Sequence, residues 1–281
     1  MEVLRYAAFT TTPEGGNPAG VVLDATGASD VEMQAVAAEV GYSETAFVTE
    51  GAGTRAARVR YFSPLVEVDF CGHATIATGV ALAERLGVGD FELRTNAGVV
   101  PVAVAPTPQG LRAALTSVAT WSRPATPEEV EPTLSCLGWS ATDLADPAVL
   151  PAHVAWSGNE HLVLPVATRA RLADMAYDFD RLRAHMLAHR WPTVLLVHVE
   201  SDELVHARNP FATGGVVEDP ATGSAAAAFG GYLHALGRVT GPREVLVHQG
   251  DDMGRPSRLT VQLRPGDLRV TVAGTAVPIP A

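Results

Sequence analysis

Glu44, Cys71 and His73 in the first half of the chain, and Asp219 and Ser224 in the second, are the side chains whose types and settings suit proton transfer. Glu44 lies in Gly41-Tyr42-Ser43-Glu44-Thr45-Ala46-Phe47, where a helix pattern ends, a strand pattern begins, and the neighbours are small or apolar. A carboxyl half-buried in such a place can exchange protons near neutral pH. His73 stands at the start of an alanine-rich helix pattern, where the helix dipole disfavours an imidazolium, so it is expected to act as a neutral donor or acceptor. Cys71, just before that helix, can become a thiolate there. Taken singly, each residue also has an ordinary reading: a loop glutamate, a satisfied histidine, a capping aspartate.

What raises them above that is a repeat. At an offset of 151 residues, Glu67 meets Glu218, Gly72 meets Gly223, Ala74 meets Ala225, Ala77 meets Ala228, Gly79 meets Gly230 and Leu82 meets Leu233. His73 meets Ser224, and Cys71 meets Thr222. A period of half the chain is too long for a solenoid and reads as two similar domains facing one another across a cleft. Each copy sends a loop into a buried helix through Gly72-His73-Ala74 or Gly223-Ser224-Ala225, and the unpaired N–H groups of such a start form an anion site. The plainer reading is that glycine lets the helix pack closely at its entry. Asn17 and Asn159, each in a Gly-Asn turn before a strand, are candidates to offer matching amides to the same ligand, or are plain turn residues. Because Thr222 stands where a second thiol would be, a symmetric two-thiol mechanism is unsupported.

The elements that must carry these groups follow from the pattern. Val3–Phe9 and Ala19–Leu23 read as strands, Ser29 or Asp30 caps a helix, and strands at 45–49 and 57–62 flank the turn Gly51-Ala52-Gly53. Gly72–Leu86 is apolar nearly all round and therefore buried. Strands continue to about residue 115, and the second half repeats the order, with helices at 178–189 and 223–236. The segment Pro124–Pro151 carries five prolines and many acids, and the junction falls shortly before it. The domains are expected at 1–117 and 118–269, with the final strand, 270–281, returning to the first.

Bulk properties remove whole classes of function. All 20 basic residues are arginine, so a lysine Schiff base and a lysine-bearing phosphate loop are excluded. A net charge of -11 with scattered arginines argues against nucleic acid as a partner. No apolar run approaches the roughly 18 residues of a membrane span. Met1–Arg5 lacks a basic signal-peptide start, and a cytoplasmic location is expected. Two cysteines, Cys71 and Cys136, give no disulfide framework. His185 and His189 are spaced for a helix face but lack a third ligand nearby in sequence, so no metal site is expected.

Together, Gly16-Asn17-Pro18, Ser43-Glu44-Thr45-Ala46-Phe47, Arg60-Tyr61-Phe62-Ser63-Pro64, Cys71-Gly72-His73-Ala74-Thr75 and Glu218-Asp219-Pro220-Ala221-Thr222-Gly223-Ser224-Ala225 resemble the PhzF family of phenazine-biosynthesis-like proteins along the whole chain. Gln249-Gly250 and Met253-Gly254-Arg255-Pro256-Ser257 are similar to that family's closing motif. The resemblance implies a diaminopimelate-epimerase-like α+β fold: two similar domains related by pseudo-two-fold symmetry, each a curved, mostly antiparallel sheet around a central buried helix, assembled as a homodimer. It implies a cofactor-free isomerase in which Glu44 carries the proton and His73, Asp219 and Ser224 support it. Gly158-Asn159-Glu160-His161 is similar to the substrate-carboxylate motif of the epimerases. Arg208 is followed by Asn209-Pro210-Phe211, where the family often shows Arg-x-Phe, and the epimerases' cysteine pair is missing.

The expected function is therefore a cofactor-independent isomerase acting on a small carboxylate-bearing substrate, with Glu44, His73, Asp219 and Ser224 catalytic and Asn17, Gly72, Asn159 and Gly223 binding substrate. Two other readings stand beside it: an amino-acid epimerase using Glu44 or Cys71 with an opposing acid such as Asp219, and a small-molecule binding protein without turnover.

Overall fold

The computed structural model describes residues 1–280, which divide into two compact units: Met1–Thr116 with the chain from Ala273 onward, and Ser117–Val272. The first unit runs β1 (Leu4–Ala8), β2 (Asn17–Val22), α1 (Asp30–Val40), β3 (Glu44–Glu50), β4 (Ala56–Phe62), β5 (Glu67–Val68), α2 (Gly72–Leu86), β6 (Gly89–Thr95), β7 (Gly98–Thr107) and β8 (Gly110–Ala119), the last ending just past the boundary. The second runs β9 (Trp121–Pro124), α3 (Pro127–Leu137), β10 (His153–Trp156), β11 (Glu160–Pro165), α4 (Arg169–Ala173), α5 (Phe179–His189), β12 (Val194–Val199), β13 (Leu204–Pro210), β14 (Glu218–Asp219), α6 (Gly223–Ala235), β15 (Arg243–Gln249), β16 (Ser257–Arg264) and β17 (Asp267–Pro278). β17 leaves the second unit at Val272, and its end pairs antiparallel with β1, Ala8 opposite Ala276 and Tyr6 opposite Pro278.

Strand pairing repeats step for step. In the first unit β1–β2 is antiparallel, β2–β3 parallel, β3–β4 antiparallel, β4–β5 antiparallel, β4–β6 parallel and β6–β7 antiparallel. In the second, β10–β11, β11–β12, β12–β13, β13–β14, β13–β15 and β15–β16 follow in the same senses. Inside this frame α2 buries His73 through Ala83 without a break. Its counterpart α6 buries Gly223 and all of Ala225 to Leu233. Neither helix has a polar stripe to present to water, which is why the sequence reads apolar around the whole circumference.

Local signals set the ends. Ser29 and Glu32 form a reciprocal capping box at the start of α1, and Gly41 closes it in the left-handed region at φ 70°. The turn predicted around Gly51–Gly53 joins β3 to β4, whose residues pair antiparallel. The sequence reading assigns no helix to the proline-rich stretch after residue 124, yet α3 forms there. Pro127 occupies its first turn, Thr126 and Glu129 cap it reciprocally, and Leu134, Cys136 and Leu137 are buried with Trp139, Leu182 and Trp191. Tertiary burial overrides the cost of Pro132 inside the helix.

The paired glycines Gly79 and Gly230 explain how the helices lie against their sheets. A Cβ at Gly79 would sit 2.8 Å from Val102 Cγ1, and one at Gly230 would sit 2.7 Å from Val270 Cγ2 and 2.8 Å from a Leu263 methyl. Alanine ordinarily strengthens a helix by about 1 kcal/mol over glycine. Here overpacking should win, so Gly230→Ala is expected to lower stability by about 1–3 kcal/mol in urea denaturation. A Gly230→Ala protein as stable as the parent or more so would show that the helix does not lie this close to the sheet.

Candidate active site

In the first unit three elements bring the predicted residues together. Gly41 turns the chain out of α1 so that β3 begins at Glu44, which pairs with Ala19 on the parallel strand β2. Gly20 has to be glycine because a Cβ there would strike the buried Thr45 side chain at 2.6 Å. Asn17 opens β2 and is almost fully buried. Cys71 is the extended N-cap of α2 and makes no side-chain cap bond to the helix, leaving its thiol for other partners.

Those partners form a closed cluster. The Cys71 thiol donates to Glu44 Oε2 at 3.4 Å, His73 Nε2 lies 3.4 Å from the same oxygen, and Cys71 Sγ is 3.3 Å from His73 Nδ1. The Asn17 amide Nδ2 is 3.1 Å from His73 Nδ1, so that nitrogen accepts and the ring proton sits on Nε2, facing Glu44 and the Ser43 hydroxyl 3.3 Å away. Burial pushes the His73 imidazole below its ordinary pKa, opposed by the neighbouring Glu44 charge. The ring is thus a neutral donor to the carboxylate, and the helix start reinforces that state. Behind the cluster, Thr75 Oγ1 donates to the Cys71 carbonyl at 2.7 Å and lies 2.7 Å from the Tyr61 hydroxyl, fixing the N-cap backbone. A depression of about 330 Å³ lined by Leu4, Asp24, Leu82 and Arg85 lies elsewhere in this unit and contains none of these groups.

The second unit builds a different set on the equivalent frame. Asp219 is buried and accepts from the Thr222 hydroxyl at 2.6 Å, while Gln249 Nε2 donates to the Asp219 carbonyl at 2.7 Å and to Thr222 Oγ1 at 3.0 Å. Gly250, at φ 79°, has no room for a Cβ beside the Arg255 and Pro220 carbonyls, which keeps Gln249 against the helix entry. Ser224 Oγ lies 3.2 Å from His161 Nε2, whose Nδ1 lies 2.9 Å from Thr193 Oγ1. Thr193 gives its one proton to Asn209 Oδ1 at 3.0 Å and must therefore accept from His161 Nδ1. His161 Nε2 is then bare and receives the Ser224 hydroxyl. Asn159 is exposed and joins neither network through any of these bonds, whereas Ser157 donates to the Ser224 carbonyl at 2.7 Å.

His161, Thr193 and Gln249 are among the polar groups of these networks that the sequence did not mark as site residues. The signal for two of them was present in the motifs containing His161 and Gln249; Thr193 carries none.

The repeated antiparallel–parallel pairing around a buried helix defines the class of protein. The same fold is found in a hydroxyproline epimerase from Agrobacterium vitis, at a TM-score of 0.63 and 15% identity over 98% of this chain and 90% of that one. The fold is diaminopimelate-epimerase-like. The chain belongs to the PhzF family: the model for phenazine biosynthesis-like proteins matches residues 6–281. It is 30% identical to the uncharacterized isomerase YfhB of Bacillus subtilis over 98% of this chain and 96% of that protein. It is 29% identical to the trans-2,3-dihydro-3-hydroxyanthranilate isomerase of Pseudomonas aeruginosa over 94% of this chain and 91% of that enzyme. A PhzF-family structure from Bacillus anthracis shares 29% identity at a TM-score of 0.87, covering 100% of this chain and 98% of that one. Among the described residues no helix is long and apolar enough to cross a membrane.

His161 supplies a pH test that needs no substrate. Burial pushes its imidazole from an ordinary 6.5 down to about 4, so between those values the unfolded chain binds a proton that the folded one refuses. Stability contributed by keeping this ring neutral is present above pH 6.5 and is lost as pH falls toward 4, by about 3 kcal/mol in all. Denaturant midpoints measured across that window should fall less steeply in His161→Gln than in the parent. Equal slopes would mean that the ring titrates as it does in water.

Proposed function

We propose that this isomerase moves a proton on a small carboxylate-bearing substrate, with Glu44 as the group that takes the proton and returns it. One observation carries the reading: the Glu44 carboxylate is held at a buried helix start by a thiol and a neutral imidazole, both 3.4 Å from a single oxygen. Glu44 removes a proton from a carbon made acidic by an adjacent unsaturated or carbonyl group, and the electron pair delocalises into that group. The His73 N–H and the free N–H groups of the first turn of α2 stabilise the developing negative charge, which is worth most in a site shielded from water. The protonated Glu44 then returns the proton to a different carbon, so that a double bond migrates. Gly72 and Asn17 are assigned to the substrate carboxylate. Asp219, Ser224, Gly223 and Asn159 in the second unit are assigned supporting polar roles on the family resemblance. No step calls for an added cofactor.

A second reading rests on the Cys71 thiol lying at hydrogen-bond distance from Glu44. A thiolate there is a base in its own right and would permit stereoinversion at one carbon, with an acid returning the proton to the opposite face.

Glu44→Gln keeps the shape and removes the base. Turnover of the true substrate is expected to fall at least ~100-fold with circular dichroism and melting unchanged. Near-normal turnover in that variant would remove Glu44 from the mechanism. Substrate turned over in heavy water should acquire deuterium at the reprotonated carbon, and the product should be a double-bond isomer. Inversion at one carbon together with a severe chemical defect in folded Cys71→Ser would establish the second reading instead.

A further inference from the structure

The Glu44–Cys71–His73 cluster has a second chemical capacity. Its three facing donor atoms make a triangle: His73 Nε2 to Cys71 Sγ is 3.7 Å, Cys71 Sγ to Glu44 Oε2 is 3.4 Å, and Glu44 Oε2 to His73 Nε2 is 3.4 Å. Zinc bonds of about 2.3 Å to sulfur, 2.05 Å to nitrogen and 2.1 Å to oxygen, arranged tetrahedrally, require edges of about 3.6, 3.6 and 3.4 Å. The edges match to within a few tenths of an ångström, but Cys71 Sγ lies nearer His73 Nδ1, at 3.3 Å, than Nε2, at 3.7 Å, so the thiol or the ring must rotate for both to point at one ion. Among the described residues this is the one group of three or more His, Cys, Asp or Glu ligand atoms lying so close together, all within 4.8 Å of one another.

We propose that these three side chains bind a thiophilic divalent cation, of which zinc is the type, and that the bound cation stops proton exchange by occupying Glu44. The site itself is independent of the functional reading; the inhibition rests on it. Charge favours binding, because a thiolate and a carboxylate together neutralise a dication in a place where Cys71 is 7% exposed and the Glu44 side chain 14%. On binding, the Cys71 thiol loses its proton to solvent as the S–metal bond forms. The His73 Nε2 proton moves to Nδ1, freeing the lone pair that binds the metal. Asn17 then has to turn its amide so that Oδ1 accepts from Nδ1–H, the outer partner that metal-bound histidines ordinarily have. Thiolate and imidazole together select zinc, cobalt or copper over magnesium. The fourth tetrahedral position stays open to water.

The test is a titration of the reduced, metal-free full-length protein with Co²⁺, followed by Zn²⁺ competition. One equivalent of Co²⁺ should give a thiolate-to-cobalt charge-transfer band with four-coordinate visible absorption, and Zn²⁺ should displace it. The band should vanish in Cys71→Ser, persist in Cys136→Ala, and need at least ~10-fold more Co²⁺ in Glu44→Gln, His73→Ala and Asn17→Leu. No thiolate band, or a band that survives Cys71→Ser, overturns the metal site whatever the activity shows. If the band behaves as expected, Zn²⁺ should inhibit turnover and a chelator should restore it. Full turnover by zinc-loaded protein would leave the site standing, overturn the inhibition and remove Glu44 as the shuttle.

Discussion

A bidentate arginine–glutamate clamp, made once in each unit, holds the segment from which the rest of each site is hung. In the first unit Arg60 on β4 grips Glu67 on β5 through Nε and Nη2 at 2.7 and 2.6 Å. In the second, Arg208 on β13 grips Glu218 on β14 in the same two-pronged way at 3.0 and 2.5 Å. β5 and β14 are only two residues long, too short to hold their place by ladder bonds alone. Each leads within a few residues into the start of the buried helix, so the clamp sets where Cys71 and His73, or Thr222 and Ser224, emerge. The second clamp is nearly dry, with side chains 9% and 3% exposed. Loss of either partner there leaves an unpaired buried charge, a defect that typically costs about 3–5 kcal/mol. The departure after Arg208 in the sequence leaves this contact intact.

On this shared frame the two halves have diverged by exchanging which element carries the imidazole. In the first unit the ring is on the helix, at His73, and an amide on β2 addresses it. In the second the ring is on β11, at His161, and the helix presents the Ser224 hydroxyl. The N-cap slots divide likewise: a thiol directed at a carboxylate on one side, and a hydroxyl already committed to Asp219 on the other. A duplicated scaffold thus supplies two differently protonated environments without changing the strand order.

Most of the architecture was legible because burial leaves a periodic trace and duplication prints it twice. The helix predicted at Gly72–Leu86 is observed with those ends, since its glycine entry and charged exit are both written locally. α3 was not legible, because its prolines obscure a helix that capping and core contacts sustain. The candidate residues of the first unit could be named from motifs, but their contact could not. Glu44 and Cys71 are brought together by the parallel pairing of β2 with β3 and by the N-cap geometry of α2, neither of which spacing encodes. Thr193 was invisible for the same reason: it belongs to the site only through His161 and Asn209.

The path of β17 has a consequence for the order in which the molecule is made. Its last residues complete the first unit: Phe9 N donates to the Thr275 carbonyl, Ile279 N to that of Arg5, and Gly274 is pressed against the Phe9 ring so closely that a Cβ would not fit. A ribosome releases the chain from its N-terminus, and domains ordinarily fold in that order. Here the leading half must wait for a partner strand that follows the whole second unit in sequence, while that unit by then has all of its own residues. The unit that carries Glu44 is therefore the one finished second, and its β1 edge stays unpaired on that side until the end of β17 has been made.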